Sequence, residues 1–424
     1  MFNTICKFST FNLYNTMTRK KEPFKARIDK KVKVFTCGPS IYQRAHIGNY
    51  RTFLFEDILI RYLEHLGYDV ERVLNFTDIE DKAVEAAENE NTDIKTLTEN
   101  VADKFIEESA LLRMKPPTHN PRSSNSVDKA LEIIKELLNN GLAYWYEGDV
   151  YYDPLKFNGF GKLYGLDMSL WPKKKKRFKK DTYPGMRWNL GDFILWHGCQ
   201  EGEKVCFDQE LGSGRPSWNV QDPAMATKYL GYEIDICAGG IDNLYRHHDY
   251  SLAVVEGVSG KTFANYWLHG AHLFVYGSKI SKSTGNIIYV KDLINDRITP
   301  AHVRFYLIFG YYRNKLNFTQ KQFHNAAKML DACRALVSEL TDIRTYKKGV
   351  KTDGNAKDLI IGLVHSFNEC MNNDLDIECA FQDLHETIEK LVQYKKDEKI
   401  SKSDCNLIDK QLREIDKVLQ VLYE

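Results

Sequence analysis

An α/β core on a parallel sheet, interrupted by an inserted subdomain and followed by an all-helical bundle, is the fold class this sequence predicts. Three observations predict it. A strand, a helix and a second strand follow one another with short connections over residues 32–76. Short apolar runs return at 193–196, 234–237 and 273–276. From about residue 319 the pattern is helical almost to the end.

The first strand is 32–37 (VKVFTC), ended by the turn-forming Gly38-Pro39-Ser40. From His46 to Leu66 the residues Phe55, Ile58, Leu59, Tyr62, Leu63 and Leu66 recur at helical spacing, and Gly67 stops the run. A second strand is expected at 70–76. This is the opening of a right-handed parallel unit. A helix near 95–114 ends at Pro116-Pro117. Residues 128–140 read as helix, 149–153 as strand, and 156–192 as irregular, so this stretch looks inserted. The three later apolar runs are expected to supply the other half of the sheet. The expected domains are 1–114 and 193–318 for the two halves of the core, 115–192 for the insertion, and 319–424 for the bundle.

The chain has 424 residues, 43% of them apolar and 28% charged, ordinary for a globular protein of two or three domains. No apolar run approaches the roughly 18 residues of a membrane span, and the first residues carry no signal-peptide pattern. The nine cysteines are irregularly spaced, which points to free thiols in a reducing cytoplasm. The net charge of +1 neither favours nor excludes nucleic acid.

Two segments carry phosphate chemistry. Cys37-Gly38-Pro39-Ser40 and His46-Ile47-Gly48-Asn49 place a strand end, a turn and a helix N-terminus in order. The free backbone N–H groups and dipole of such a terminus attract phosphate, and a first-turn histidine can donate to a phosphoryl oxygen. The second segment, 276–286 (YGSKISKSTGN), carries Lys279 and Lys282 on a glycine-flanked loop suited to neutralising a leaving pyrophosphate. The same pentapeptide, KISKS, recurs at 399–403 without the following Thr-Gly-Asn, between helices, and there it reads as an ordinary loop.

These two motifs resemble the signatures of class I aminoacyl-tRNA synthetases. Within that class the chain looks like the cysteinyl enzymes, because further segments fall in the family order. They are 13–24 (LYNTMTRKKEPF), Thr36-Cys37-Gly38-Pro39, Asn75 to Lys82, Gly214-Arg215-Pro216 and His247-His248. The likeness runs over residues 8–345 and more weakly through the tail. It implies a Rossmann-type core that binds ATP with Mg2+ and joins an amino acid to AMP. His46, Asn49, Lys279 and Lys282 would be catalytic, and Gly38, Gly48, Gly240 and Asp242 would contact ATP. Thr77, Trp218, Cys37, Asp222, Cys237, His247 and Ser251 would surround the amino acid. A second step would pass the aminoacyl group to a tRNA 3′ end, and related ligases instead use a small-molecule amine.

The resemblance also implies a zinc ion on two Cys, one His and one Glu, which explains how cysteine is told from serine. Only Cys37 and His247 match. Asp222 stands at the second cysteine position and Ser251 at the glutamate. Zinc on Cys37, Asp222 and His247 stays open, as does a changed amino acid suited to the polar Asp222, Asn219, Gln221 and Ser251.

The remaining features read as structure. Residues 171–180 (WPKKKKRFKK) form a basic run, read as a solvated loop ahead of RNA contact or targeting. Cys199 and Cys206 read as structural, and Phe305, Ile308 and Phe309 as helix packing.

Overall fold

The computed structural model describes residues 10–178, 190–200, 202–203, 205–281 and 284–423. The core is a four-stranded sheet in the order Ala264–Gly270, Ile234–Gly240, Lys31–Thr36, Asp69–Leu74, all parallel. Its strands are buried on both faces. Val34, Ile236 and Ala238 pack with the helix Ile47–His65, while the alternate residues Phe35, Val73 and Cys237 pack with Ala226, Leu252 and Val255. The last three lie on the helices Trp218–Leu230 and Asp249–Ser259. Period-two alternation between two apolar layers is what a covered parallel sheet requires.

Chain order matters for function here. From Lys31–Thr36 the chain first crosses to Asp69–Leu74 on one side. It then returns to Ile234–Gly240 on the other. A crevice therefore opens between these neighbours at their carboxyl ends, the place where open α/β sheets bind ligands.

The insertion is a five-stranded antiparallel sheet, ordered Ala143–Tyr146, Asp149–Tyr152, Phe193–Gly198, Gly212–Pro216, Phe207–Gln209. It packs on the helix Val127–Asn139 through Ile133, Ile134, Leu137, Leu195 and Trp196. This corrects the expectation for 193–196, which pairs with Asp149–Tyr152 and Gly212–Pro216 and not with the parallel sheet. The run at 273–276 is corrected too. Leu273–Val275 joins Ser278–Lys279 and Leu316–Phe318 in a separate small sheet. The fourth core strand is instead Ala264–Gly270. A short apolar run announces burial but carries no label for its partner strand.

The tail is helical, as expected: Gln320–Thr341, Gly354–Met371, Ile377–Lys396 and Lys402–Leu419. It is locked to the core through Arg304, which is fully buried on Pro300–Ile308. Its guanidinium donates to Asp57 Oδ2 (2.7 Å), Leu419 O (2.8 Å) and Leu112 O (2.9 Å). Arg304 and Arg61 hold the Asp57 carboxyl below its ordinary pKa against the opposing effect of burial. Phe305 meets Phe381 at 4.5 Å, so this aromatic stretch is packing.

The expectation of free thiols does not hold throughout. Cys199–Cys206 and Cys370–Cys379 are disulfides; the first spans a strand end and its loop, the second the turn between two bundle helices. Sequence separations of 7 and 9 residues bring each pair together across a single turn. No described helix is long and apolar enough to cross a membrane.

Candidate active site

The strand ends at the crevice build one cavity of about 310 Å3. Cys37 and Gly38 follow the first core strand, and Asn75 and Thr77 the second. Gly240 ends the third and Asp242 follows it, and Gly270 ends the fourth with His272 just beyond. Gly38 is needed for packing, because a Cβ there would lie 1.8 Å from Asn75 O. Its N–H donates to Asn75 Oδ1 at 2.9 Å, which ties the two strand ends together.

At one end of the cavity His46 caps the helix Ile47–His65. Its Nδ1 accepts from the N–H groups of Gly48 (3.1 Å) and Asn49 (3.3 Å), while Asn49 Oδ1 accepts from His46 N (3.0 Å). Nδ1 is thereby committed as an acceptor, so the ring proton of the neutral form sits on Nε2. Burial lowers the His46 pKa from its usual value and favours that neutral form. The lysine loop lies alongside. Ile47 N–H donates to Ile288 O at 3.0 Å, and Asn286 braces the loop by accepting from Ser281 N (3.0 Å) and donating to Lys279 O (3.1 Å). Lys279 Nζ lies 3.3 Å from Asp242 Oδ1, which His272 Nε2 also approaches at 3.2 Å. The contacts from His272 and Lys279 hold the Asp242 carboxyl below its ordinary pKa against burial. Lys282 lies outside the described residues.

At the other end Asp222 is the hub, 2% exposed. Its Oδ1 accepts from Asn75 Nδ2 (2.9 Å), and its Oδ2 meets His247 Nε2 (2.6 Å) and Cys37 Sγ (3.4 Å). Trp218 stacks on His247 with ring centres 4.0 Å apart. Behind this layer, His248 Nε2 lies 2.9 Å from Cys37 Sγ, and its Nδ1 meets His269 Nε2 at 2.8 Å. Burial pushes the Cys37 thiol up, with the Asp222 carboxylate adding to the effect. Burial and the neighbouring His269 and His247 push His248 well below the usual imidazole range.

Of the residues expected around an amino acid, Cys37, Thr77, Trp218, Asp222 and His247 line the cavity. Cys237 and Ser251 are buried behind it. Asn219 and Gln221 also stand apart: they donate to Ile194 O (2.9 Å) and Pro216 O (3.0 Å) and serve the fold of the helix start. Among the phosphate-end residues His46, Asn49, Gly38, Gly48, Gly240, Asp242 and Lys279 all line the cavity. Sequence reasoning assigned no role to Asn75, His248 or His272. Asn75 and His248 stand inside quoted motifs, so a signal existed for them. For His272 the only one was its place just past a strand end.

The model of the class I (C) tRNA synthetase catalytic domain matches residues 23–328. A Bacillus cereus cysteine–tRNA ligase is 36% identical over 97% of this chain and 87% of its own length. The chain belongs to the cysteine-type class I tRNA synthetases. A Bacillus cytotoxicus cysteine–tRNA ligase is 35% identical over 98% of this chain and 88% of its own. The fold is shared more widely within class I. A Mycobacterium tuberculosis methionyl-tRNA synthetase bound to methionyl-adenylate has a TM-score of 0.66 at 13% identity, covering 92% of this chain and 90% of that one. A LeuRS–tRNA–LeuAMS complex from Agrobacterium radiobacter gives 0.66 at 12%, covering 94% and 85%. The chain is thus a ligase of the class I synthetase type, on the Rossmann-type core expected from its motifs.

Proposed function

We propose that this ligase activates cysteine with ATP and transfers it to the 3′ end of a tRNA. What supports this reading is the division of one cavity into a phosphate end, with His46 and Lys279, and a buried end, with Cys37, Asp222 and His247. The matched relatives named as cysteine–tRNA ligases supply the amino acid and the acceptor.

In the first step an oxygen of the amino-acid carboxylate attacks the α-phosphorus of magnesium-bound ATP. The bond from that phosphorus to the bridging oxygen breaks, and pyrophosphate leaves. His46 would donate from Nε2–H to a phosphoryl oxygen where negative charge develops. Lys279 would exchange Asp242 for the leaving phosphates, an interaction made stronger in the transition state than before it. The positive end of the dipole of the helix Ile47–His65 adds to the attraction at the same place. In the second step a ribose hydroxyl of the tRNA attacks the aminoacyl carbonyl, and AMP leaves.

The donor set at the buried end fits a thiophilic divalent cation. Sulfur from Cys37 and imidazole nitrogen from two histidines lie within 4.8 Å of one another. Zinc held by Cys37 and His247 beside Asp222 would supply an affinity for a thiolate that serine's hydroxyl cannot match. Asp222 and Ser251 favour a second reading, in which the amino acid has changed. An aspartate stands where a thiolate would be and a serine where a carboxylate would be, so the pocket has exchanged a soft sulfur ligand for oxygen and lost one anionic ligand.

ATP–pyrophosphate exchange with each of the twenty amino acids, with and without zinc, decides between these readings. Exchange with cysteine alone is expected. Exchange with another amino acid establishes the second reading, and adenylate formation without tRNA charging moves the acceptor to a small amine.

A further inference from the structure

The buried end holds a residue that the family's zinc pattern does not use. We infer that His248 is a metal ligand in this chain, completing with Cys37 and His247 a site for a thiophilic divalent cation, with Asp222 as the adjoining carboxylate. The inference rests on the reading of this end of the cavity as the amino-acid chamber.

Three observations carry it. First, one ligand atom each from Cys37, His247 and His248 lies within 4.8 Å of the other two, and all three residues are buried. Atoms around a tetrahedral zinc ion stand about 3–4 Å apart, given metal–ligand bonds of about 2.0–2.3 Å. Second, the usual fourth position is vacant of a ligand. Ser251 is 5% exposed and its Oγ has no hydrogen-bond partner, as is also true of His247 Nδ1. Buried polar atoms without partners are uncommon and call for a cause. Third, His248 is aimed. Its Nδ1 meets His269 Nε2 at 2.8 Å, and His269 Nδ1 meets Thr16 Oγ1 at 2.9 Å, which leaves Nε2 facing Cys37 Sγ at 2.9 Å. A hydrogen bond on the far ring nitrogen is the usual way a protein orients an imidazole ligand. Gly239 makes room for the ring, since a Cβ there would lie 2.9 Å from His248 Cε1.

The chemistry follows from the donor count. One thiolate and two imidazoles leave net positive charge on a divalent ion, and three protein ligands leave one position for an incoming soft donor. His248 thus makes up for Ser251 with a neutral ligand from the same turn of chain. His269 and Thr16 would be positioning residues for it.

The test uses the full chain reconstituted with zinc or cobalt. Zinc is counted by mass spectrometry after dialysis, and X-ray absorption on the zinc protein counts sulfur against imidazole neighbours without any substitution. The expected result is one zinc per chain, one sulfur, and at least two imidazoles. Cobalt should give a thiolate charge-transfer band and strong tetrahedral bands, and added cysteine should shift them while serine does not. His248→Ala should abolish the tetrahedral spectrum. His269→Asn should weaken metal affinity by about tenfold to a hundredfold while leaving the signal of the metal-bound sulfur intact. One zinc with a single imidazole, or a cobalt spectrum unchanged in folded His248→Ala, overturns the assignment. So does failure to retain metal. Pyrophosphate exchange, measured on the same samples, reads the proposed function separately: exchange without bound metal sinks the inference and leaves the ligase reading standing.

Discussion

The two ends of the cavity are built in contrasting ways. The phosphate end is made of glycine turns, a helix terminus and a lysine loop near solvent: Lys279 keeps 60% of its side chain exposed. The amino-acid end is closed, with Asp222, His247 and His248 all below 5% exposure and joined by hydrogen bonds. On the proposed reading the first end admits and releases a highly charged nucleotide, which partly solvated groups suit. The second tells one small side chain from another, which desolvated groups suit. Desolvated polar groups discriminate strongly because a wrong ligand leaves them unpaired.

Variants at each end should therefore fail differently. His46→Ala and Lys279→Ala should lower pyrophosphate exchange by about 10²–10³-fold, the usual loss when one charge-stabilising donor is removed from a transition state. The loss should fall on kcat and be the same for any amino acid the enzyme accepts. Equal loss in KM for the amino acid would erase the distinction between the two ends. Asp222→Ala should act on the other side. It leaves Asn75, His247 and Cys37 without their shared acceptor, at a stability cost of about 1–3 kcal/mol, seen as a lower urea midpoint. The KM for the amino acid should rise while that for ATP holds.

A smaller effect probes protonation at the phosphate end. His46 accepts two N–H bonds through Nδ1, and burial lowers its pKa in the folded state. A lowered folded pKa stabilises the fold above the unfolded imidazole pKa of about 6.5 and gives that stability up as pH falls through the folded value. His46→Asn keeps a cap acceptor that does not titrate. The stability of the wild type relative to this variant should be constant near pH 7.5 and shrink as pH drops below about 6.5. A difference that grows on acidification would mean that His46 is stabilised as the cation.

Much of this organisation was legible in the chain, and the failures are specific. The strand 32–37, the helix from His46 and the strand after it are local patterns, and the structure keeps them as Lys31–Thr36, Ile47–His65 and Asp69–Leu74. The run at 193–196 was legible as a strand and not as a member of the inserted sheet, because its partners Asp149–Tyr152 and Gly212–Pro216 are set by tertiary packing. The site shows the same limit. His46, Cys37 and His247 stand in motifs whose chemistry is written in their neighbours. Asn219 and Gln221 looked like pocket residues, yet their amide nitrogens donate to the backbone carbonyls of Ile194 and Pro216. His248 stands in the same motif as His247, but the residues that orient it, His269 and Thr16, come from distant segments.

The two copies of KISKS give the most exacting form of the comparison, because the letters are the same and the surroundings are not. In the first, Lys279 reaches the cavity through Asp242. In the second, Ser401 caps the helix Lys402–Leu419. It accepts from Asp404 N at 3.2 Å and donates to Asp404 Oδ2 at 2.7 Å, while Ile400 is 2% exposed. That copy is a helix start, with its lysines turned to solvent or to a neighbouring acid: Lys399 Nζ is 3.7 Å from Asp397. Ser401→Ala should therefore cost about 1 kcal/mol, the usual worth of an N-cap, read as a shift in the urea midpoint with pyrophosphate exchange unchanged. Lys399→Ala and Lys402→Ala should move neither quantity by a measurable amount, since exposed pairs of this kind contribute little. A drop in tRNA charging with either lysine removed, at unchanged exchange, would show instead that the second copy meets the nucleic acid.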